Sequence, residues 1–303
     1  MLKLELVEAV LARALKGGAD FAEVYAQRAK KRRMKVRQGA LEEALSGLDY
    51  GAGVRLFFGT EVVYAYTNDL TQEGLMEALE TLLRAKGALG KVDEGGKGGL
   101  DFRKATPKGL HAPKVPYGEK DKRYRLERLL EAEAGARIAP AIKQVEASLL
   151  EWEEEVLVAN TEGVFAEEKR VRTRLFVLAV AQDGAEVQTG YSAPGKSVGL
   201  ELFDLYPPKA VGEKAARQAL TNLKARPAPA GTFPVVVGPG FGGVLFHEAV
   251  GHLLETTSVA RKVSILAYTF SYPTPSCIFT YIHHWRKCPI DAICTRFYGR
   301  YSG

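Results

Sequence analysis

Two histidines and a glutamate late in the chain have residue types that could hold and use a metal ion. His247 is followed directly by Glu248, and His252 lies five residues after His247. Neutral imidazole is a common zinc ligand, and a carboxylate beside a metal can accept the proton of an attacking water. We therefore take the two histidines as candidate metal ligands and the glutamate as the candidate base.

The five-residue spacing of the two histidines does not suit an ideal α-helix. At 3.6 residues per turn, side chains five positions apart point about 140° away from each other, too far to share one metal ion. A π-type turn has a five-residue period and is frequent at functional sites. We therefore predict a helix irregularity here, with Gly251 supplying backbone flexibility. The alternative is an ordinary amphipathic helix that carries two histidines by chance.

The same stretch also contains a G-x-G-x-x-G pattern, which begins at Gly238 and is found in nucleotide-binding loops. Pro239 removes an N–H group that could face a phosphate. The acidic residue expected for a ribose hydroxyl is missing, because no carboxylate follows Glu255 until Asp291. The pattern therefore gives little support to dinucleotide binding.

The composition is that of an ordinary globular protein, with 303 residues, 46% apolar and 26% charged. It contains no apolar run of about 18 residues that could cross a membrane, and its start lacks the features of a signal peptide. We therefore expect a cytoplasmic protein without membrane association. The net charge of +6 includes one dense basic run, Arg28 to Arg37. We expect this run to be a solvated face on an exposed strand or hairpin, and do not expect nucleic acid as a partner.

Hydrophobic periodicity predicts an α+β fold, with two antiparallel β-meander regions and flanking helices. The predicted helices cover residues 4–16, 73–86, 121–137 and 207–226. Alternating apolar residues between glycine turns predict one meander after the first helix and another after the third. The stretch GTFPVVVGPG, residues 231–240, is predicted to be a buried strand followed by a Gly-rich turn. It leads into a helix from about Gly242 to Glu255 that carries the metal motif.

Changes in composition along the chain suggest four regions. Residues 1–90 are predicted to form an N-terminal α/β meander domain, and residues 91–120 a linker rich in glycine, lysine and proline. Residues 121–262 are a second α+β region that ends in the metal-motif helix. Residues 263–303 hold all three cysteines and one carboxylate. We interpret them as a non-homologous tail, most simply the product of a frameshift. The cysteine spacings match no C-x-x-C zinc pattern.

The sequence HEAVGH, residues 247–252, follows a Gly-rich turn and resembles the His-Glu-x-x-x-His motif of the TldD/PmbA family. Upstream, the stretches GGADFAEVYAQ, DYGAGVRLFFG and AYTNDLTQEGLMEAL are similar to the N-terminal domain of that family. The resemblance covers residues 1 to about 262. Because the PmbA branch lacks the metal motif, the chain resembles the TldD branch.

This resemblance implies a zinc metallopeptidase that acts on peptides or small unfolded proteins. His247 and His252 match the zinc ligands, and Glu248 matches the catalytic base. The resemblance also implies a PmbA-type paralogue as partner in a hetero-oligomer. The third zinc ligand of the family is a cysteine of a C-terminal domain that is not recognisable here, so we expect impaired activity. Two alternatives remain: a catalytically silent PmbA-like partner or regulatory subunit, and a nucleic-acid-associated protein.

Overall fold

A computed structural model describes residues 1–87, 100–105, 112–238 and 242–267. The described residues up to Pro227 form one compact unit, and those from Ala228 onward form another. The cysteines of the predicted tail lie outside the described residues. Among the helices that the structure describes, none is both long enough and apolar enough to span a membrane.

The first unit is built on one eight-stranded sheet. Its strands are β1 (Phe21–Arg37), β2 (Ala40–Phe58), β3 (Glu61–Thr67), β4 (Arg103–Ala105), β5 (Ile142–Asn160), β6 (Val164–Asp183), β7 (Glu186–Ser192) and β8 (Gly195–Lys196). The strand order is β3-β2-β1-β5-β6-β4, and β7 and β8 also pair with β6. The pairing of β4 with β6 is parallel, and the other described pairings are antiparallel. Both predicted meanders are present, and β1 and β5 join them into a single sheet.

The four helices predicted for this unit are present close to their predicted positions, and one further short helix was not predicted. They are α1 (Leu4–Lys16), α2 (Gln72–Ala85), α3 (Lys122–Ala136), the short α4 (Leu202–Leu205) and α5 (Pro208–Leu223). The side chains of Thr71 and Asp121 cap α2 and α3 by accepting hydrogen bonds from the N–H groups of Gly74 and Tyr124. Helix α5 begins with Pro208, which has no N–H group to leave unsatisfied. The predicted α+β fold class is confirmed.

Two apolar clusters form the core on one face of the sheet. One cluster packs α1 and α2 against β1 and β2, and the other packs α3 and α5 against β5 and β6. Val24 belongs to the first cluster and Val36 to the second. Because successive side chains of a strand alternate between faces, these two even-numbered positions of β1 point the same way. The two sets of helices therefore cover the same face at opposite ends of the strands.

The basic run from Arg28 to Arg37 lies on β1, which forms a hairpin with β2. A hairpin was expected for this run, but β1 lies between β2 and β5, in the interior of the sheet. Acidic residues of the neighbouring strands pair with it. Lys35 Nζ is 2.9 Å from Glu42 of β2 and 3.1 Å from Glu146 of β5. The other residues of the run with such pairs are Lys31, Arg32, Arg33 and Arg37. Much of its charge is thus neutralised within the sheet, which does not favour a nucleic-acid surface.

Residues 91–120 were predicted to be a linker. The parts of this segment that the structure describes belong to the first unit. Strand β4 lies in this segment, and Tyr117 is buried in the apolar cluster beneath α3 and α5. The carboxylate of Glu201 accepts hydrogen bonds from the N–H groups of Lys114 and Val115. A glycine-rich composition does not reveal such contacts, because they are made with residues distant in sequence.

One ion pair is buried beneath α3. Arg125 and Glu151 are only 7% and 2% exposed, and two hydrogen bonds of 2.5 and 3.2 Å join the guanidinium to the carboxylate. The guanidinium also donates to the main-chain oxygens of Tyr117, Lys120 and Asp121. The pair therefore fixes the start of α3 and the turn before it to β5.

Replacing Glu151 with alanine should destabilise this unit strongly, because the charge of Arg125 would stay buried without its carboxylate. We expect the free energy of unfolding to fall by about 3–5 kcal/mol in urea denaturation followed by circular dichroism. The exposed pair Arg123–Glu127 on α3 provides a control, since Glu127→Ala should cost less than about 0.5 kcal/mol. Equal losses in the two variants would contradict the structural role of the buried pair.

Candidate metal centre

The candidate site lies on a helical segment of the second unit. This segment consists of α6 (Gly242–Phe246), a π-helical turn (His247–Gly251) and a 3-10 turn (His252–Leu254), followed by α7 (Thr256–Ala260). The predicted helix and its predicted irregularity are both present. Because a π-turn has a five-residue period, it brings the two histidine side chains to the same side of the segment.

The three candidate side chains lie close together and are exposed. The ring centroids of His247 and His252 are 4.5 Å apart, with an angle of 66° between the ring planes. Nε2 of His252 is 3.4 Å from a carboxylate oxygen of Glu248. One potential ligand atom from each of the three residues lies within 4.8 Å of the other two. The structure thus brings together all three residues that the sequence singled out.

Gly251 ends the predicted π-turn, and its lack of a side chain matters for the ring of His247. Its φ of −57° and ψ of −51° are ordinary helical values, which any residue can adopt. A Cβ atom at this position, however, would lie 3.1 Å from Nδ1 of His247, closer than an ordinary van der Waals contact. The glycine therefore makes room for the ring of His247 and is not needed for an unusual backbone conformation.

A second carboxylate contacts the site, and the sequence analysis did not include it. Nδ1 of His252 is 2.7 Å from a carboxylate oxygen of Glu255. This hydrogen bond, together with the charge of Glu248, raises the pKa of His252 above its usual value. Because metals bind neutral imidazole, protons compete with a metal for this ring. The sequence did hold a signal for this contact. Glu255 follows the candidate ligand His252 by three residues, a spacing at which side chains on a helix are neighbours.

The segment that leads into the site is not the buried strand that we predicted. Residues 232–238 form no strand in the structure, and Val236 is 97% exposed. A run of valines is typical of a core strand, which is why the sequence suggested burial. A strand also needs a partner for its N–H and C=O groups, and no described residue pairs with this segment. Phe246 and Val250 of the helical segment are exposed as well, unlike the apolar face of an ordinary amphipathic helix.

The donor atoms of the site suit a zinc ion. Imidazole nitrogens and carboxylate oxygens are both accepted by zinc. Two imidazole nitrogens bound at about 2.0–2.1 Å with a tetrahedral angle would lie about 3.4 Å apart. The three donors lie within 4.8 Å of one another, a spacing close to the one that a shared ion requires. The residue types and their spacing therefore fit such an ion.

Comparison with known protein families matches both halves of the first unit to domains of one family. Residues 22–86 match the family model described as PmbA/TldA metallopeptidase domain 1, and residues 114–223 match its central domain. The chain belongs to the TldD/PmbA metallopeptidase family. The gap between the two matches overlaps the predicted linker, although in the structure the two family domains share one sheet.

Curated relatives of this family member carry the name metalloprotease. A "Metalloprotease TldD homolog" from Haemophilus influenzae is 32% identical over 246 residues, which cover 78% of this chain and 50% of the relative. A "Metalloprotease" from Methanothermobacter thermautotrophicus is 28% identical over 248 residues, 82% of this chain and 53% of the relative. This family member therefore spans about half the length of the curated relatives it matches. Their names imply a metal cofactor.

Two solved structures have a fold similar to that of this chain. A putative modulator of DNA gyrase from Bacteroides thetaiotaomicron has a TM-score of 0.66 and 18% identity, covering 88% of this chain and 61% of its own. A second one, from Thermotoga maritima, has a TM-score of 0.56 and 14% identity, covering 75% of this chain and 50% of its own. At these identities the likeness concerns the fold, an antiparallel sheet with flanking helices.

Replacing Gly251 with alanine should weaken metal binding without destabilising the helical segment. Alanine favours a helix over glycine by about 1 kcal/mol, but its Cβ would lie 3.1 Å from Nδ1 of His247, so the ring of His247 would have to leave its present position beside His252. Calorimetric titration with zinc measures the affinity, and thermal unfolding measures the stability. Val250→Ala, which shortens an exposed side chain of the same turn, is the control and should bind zinc normally. An unchanged affinity in Gly251→Ala would contradict the steric role of the glycine.

Proposed function

We propose that this protein is a TldD-like zinc metallopeptidase that cleaves peptides or small unfolded proteins. The proposal rests chiefly on the π-turn, which places the rings of His247 and His252 4.5 Å apart with Glu248 beside them. Membership of a metallopeptidase family supports it. A role as a catalytically silent subunit is not favoured, because such a subunit has no need for ligands and a base in this arrangement.

In this proposal, His247 and His252 hold the zinc ion and Glu248 is the general base. The bound ion would act as a Lewis acid that polarises a peptide carbonyl and makes a coordinated water more acidic. Glu248 accepts the proton of the attacking water. Its carboxylate lies 3.4 Å from Nε2 of His252, the ring nitrogen that Glu255 does not contact. Because all three side chains are exposed, an extended peptide can reach them.

We further propose a PmbA-type paralogue as partner and a cytoplasmic location. The second unit exposes several large apolar side chains, among them Val235, Val236, Phe246 and Ile265. Exposed apolar surface of this kind often marks an interaction site. Catalytic zinc usually takes three protein ligands and a water, whereas we assign two imidazoles to the ion here. We therefore expect a zinc ion held by these two imidazoles alone to be bound less tightly than one with three protein ligands.

The first test of this function is the metal content of a ligand variant. His247→Ala should purify with much less zinc than the wild-type chain, because one imidazole alone cannot hold the ion firmly. Elemental analysis after dialysis gives the ratio of zinc to protein. His284→Ala is the matched control, since it removes a histidine to which we assign no role. Equal zinc in His247→Ala and the wild-type chain would rule out this site.

The second test separates the base from the ligands. Glu248→Gln should retain its zinc and lose turnover by about 10²–10⁴-fold, because an amide cannot accept the proton of the attacking water. Long incubations with a peptide mixture, followed by mass spectrometry, detect even slow cleavage. The same variant should show an unchanged zinc content by elemental analysis. Cleavage at a near-normal rate by Glu248→Gln would exclude the proposed role of this residue.

A further inference from the structure

We propose that Glu255 is a positioning residue for His252. Its carboxylate fixes the ring orientation and keeps the ring proton on Nδ1, so that Nε2 presents its lone pair to the metal. This inference rests on the proposed metallopeptidase function and adds a residue that lies outside the His-Glu-x-x-x-His motif.

The two nitrogens of the His252 ring have different neighbours. Nδ1 lies 2.7 Å from a carboxylate oxygen of Glu255, which is a short hydrogen bond, and Nε2 lies 3.4 Å from the carboxylate of Glu248. A neutral imidazole carries one N–H group, and an ionised carboxylate can only accept a hydrogen bond. The shorter contact therefore places the N–H group on Nδ1, donating to Glu255. Nε2 is left without a hydrogen, on the side of the ring that faces the proposed base.

This arrangement is the one that a metal-bound histidine needs. The hydrogen bond at one ring nitrogen determines which nitrogen is free to bind a metal. A carboxylate partner also holds the plane of the ring and makes the metal-binding nitrogen more basic. The contact between Glu255 and Nδ1 places this carboxylate where it can perform both tasks for the ring of His252.

The backbone around Glu255 is anchored on both sides. Its N–H group donates to the main-chain oxygen of His252, and its own main-chain oxygen accepts a hydrogen bond from the N–H group of Val259 in α7. Ser264 is buried, and its hydroxyl donates to the main-chain oxygen of Leu253 over 2.6 Å. These bonds fix the turn that separates His252 from α7. The carboxylate of Glu255 is therefore presented to Nδ1 from a defined position.

Two substitutions of Glu255 distinguish positioning from direct metal ligation. Glu255→Ala removes the acceptor, and we expect zinc affinity to fall by about 10–100-fold. Glu255→Gln keeps a carbonyl oxygen that can accept the Nδ1 hydrogen, so it should retain most of the affinity. Competition with a chromophoric chelator measures the dissociation constant for zinc in the complete chain. Glu162→Ala removes an exposed glutamate from the turn between β5 and β6 and is the control.

A second measurement does not depend on metal or on activity. Nitrogen-15 NMR of the histidine side chains in the metal-free chain, at a pH where both rings are neutral, reports which nitrogen carries the hydrogen. We expect His252 to carry it on Nδ1 in the wild-type chain and in Glu255→Gln. In Glu255→Ala the hydrogen should shift towards Nε2. His247 is an internal control whose spectrum should not change in this way.

The possible results separate this inference from the proposed function. Weaker zinc binding in Glu255→Ala, with rescue in Glu255→Gln and the expected change at His252, supports positioning. An affinity as low in Glu255→Gln as in Glu255→Ala would overturn it in favour of a carboxylate ligand. The same tautomer and affinity in every variant would also overturn it. A wild-type chain that binds no zinc would overturn the proposed function, while the NMR spectra would still decide whether Glu255 orients His252.

Discussion

The fold of the first unit depends on the antiparallel pairing of β1 with β5. This ladder runs without a register shift from Glu23 to Arg37 on β1. It aligns the two apolar clusters on one face of the sheet, since both use even-numbered positions of β1. It also places Arg32 next to Glu151, which meets Arg125 from α3. The core and the buried charges of the two family domains therefore rest on one set of strand contacts.

The features that the sequence predicted in this unit are the local ones. Helix limits follow from apolar spacing, and the caps that the structure shows at Thr71 and Asp121 are equally local, with partners three residues away. The joining of the two meanders was not predicted, because the paired segments are more than a hundred residues apart and many registers satisfy the same alternation of side chains. The attachment of Tyr117 was missed for the same reason. The valine run before the site was wrongly predicted to be buried, because the sequence of this run does not show whether a partner strand is present.

The candidate site was largely predictable because its parts lie within one short helical segment. On an α-helix, the five-residue spacing of His247 and His252 does not allow both to bind one metal ion, so a π-turn was predicted on the hypothesis that they do. The roles of Gly251 and Glu255 did not follow, since they depend on where the two rings lie in space. Family membership supports the reaction class. The choice of zinc is proposed from the donor atoms of these few side chains.

The central claim is that one zinc ion binds to the imidazoles of His247 and His252. X-ray absorption spectroscopy at the zinc edge tests it most directly, because imidazole rings give a characteristic scattering pattern that can be counted. For the zinc-loaded wild-type chain we predict two imidazole nitrogens at about 2.0–2.1 Å from the ion. For His252→Ala we predict one imidazole or a loss of bound zinc. A spectrum without imidazole scattering, or identical spectra for the two proteins, would contradict this account of the site.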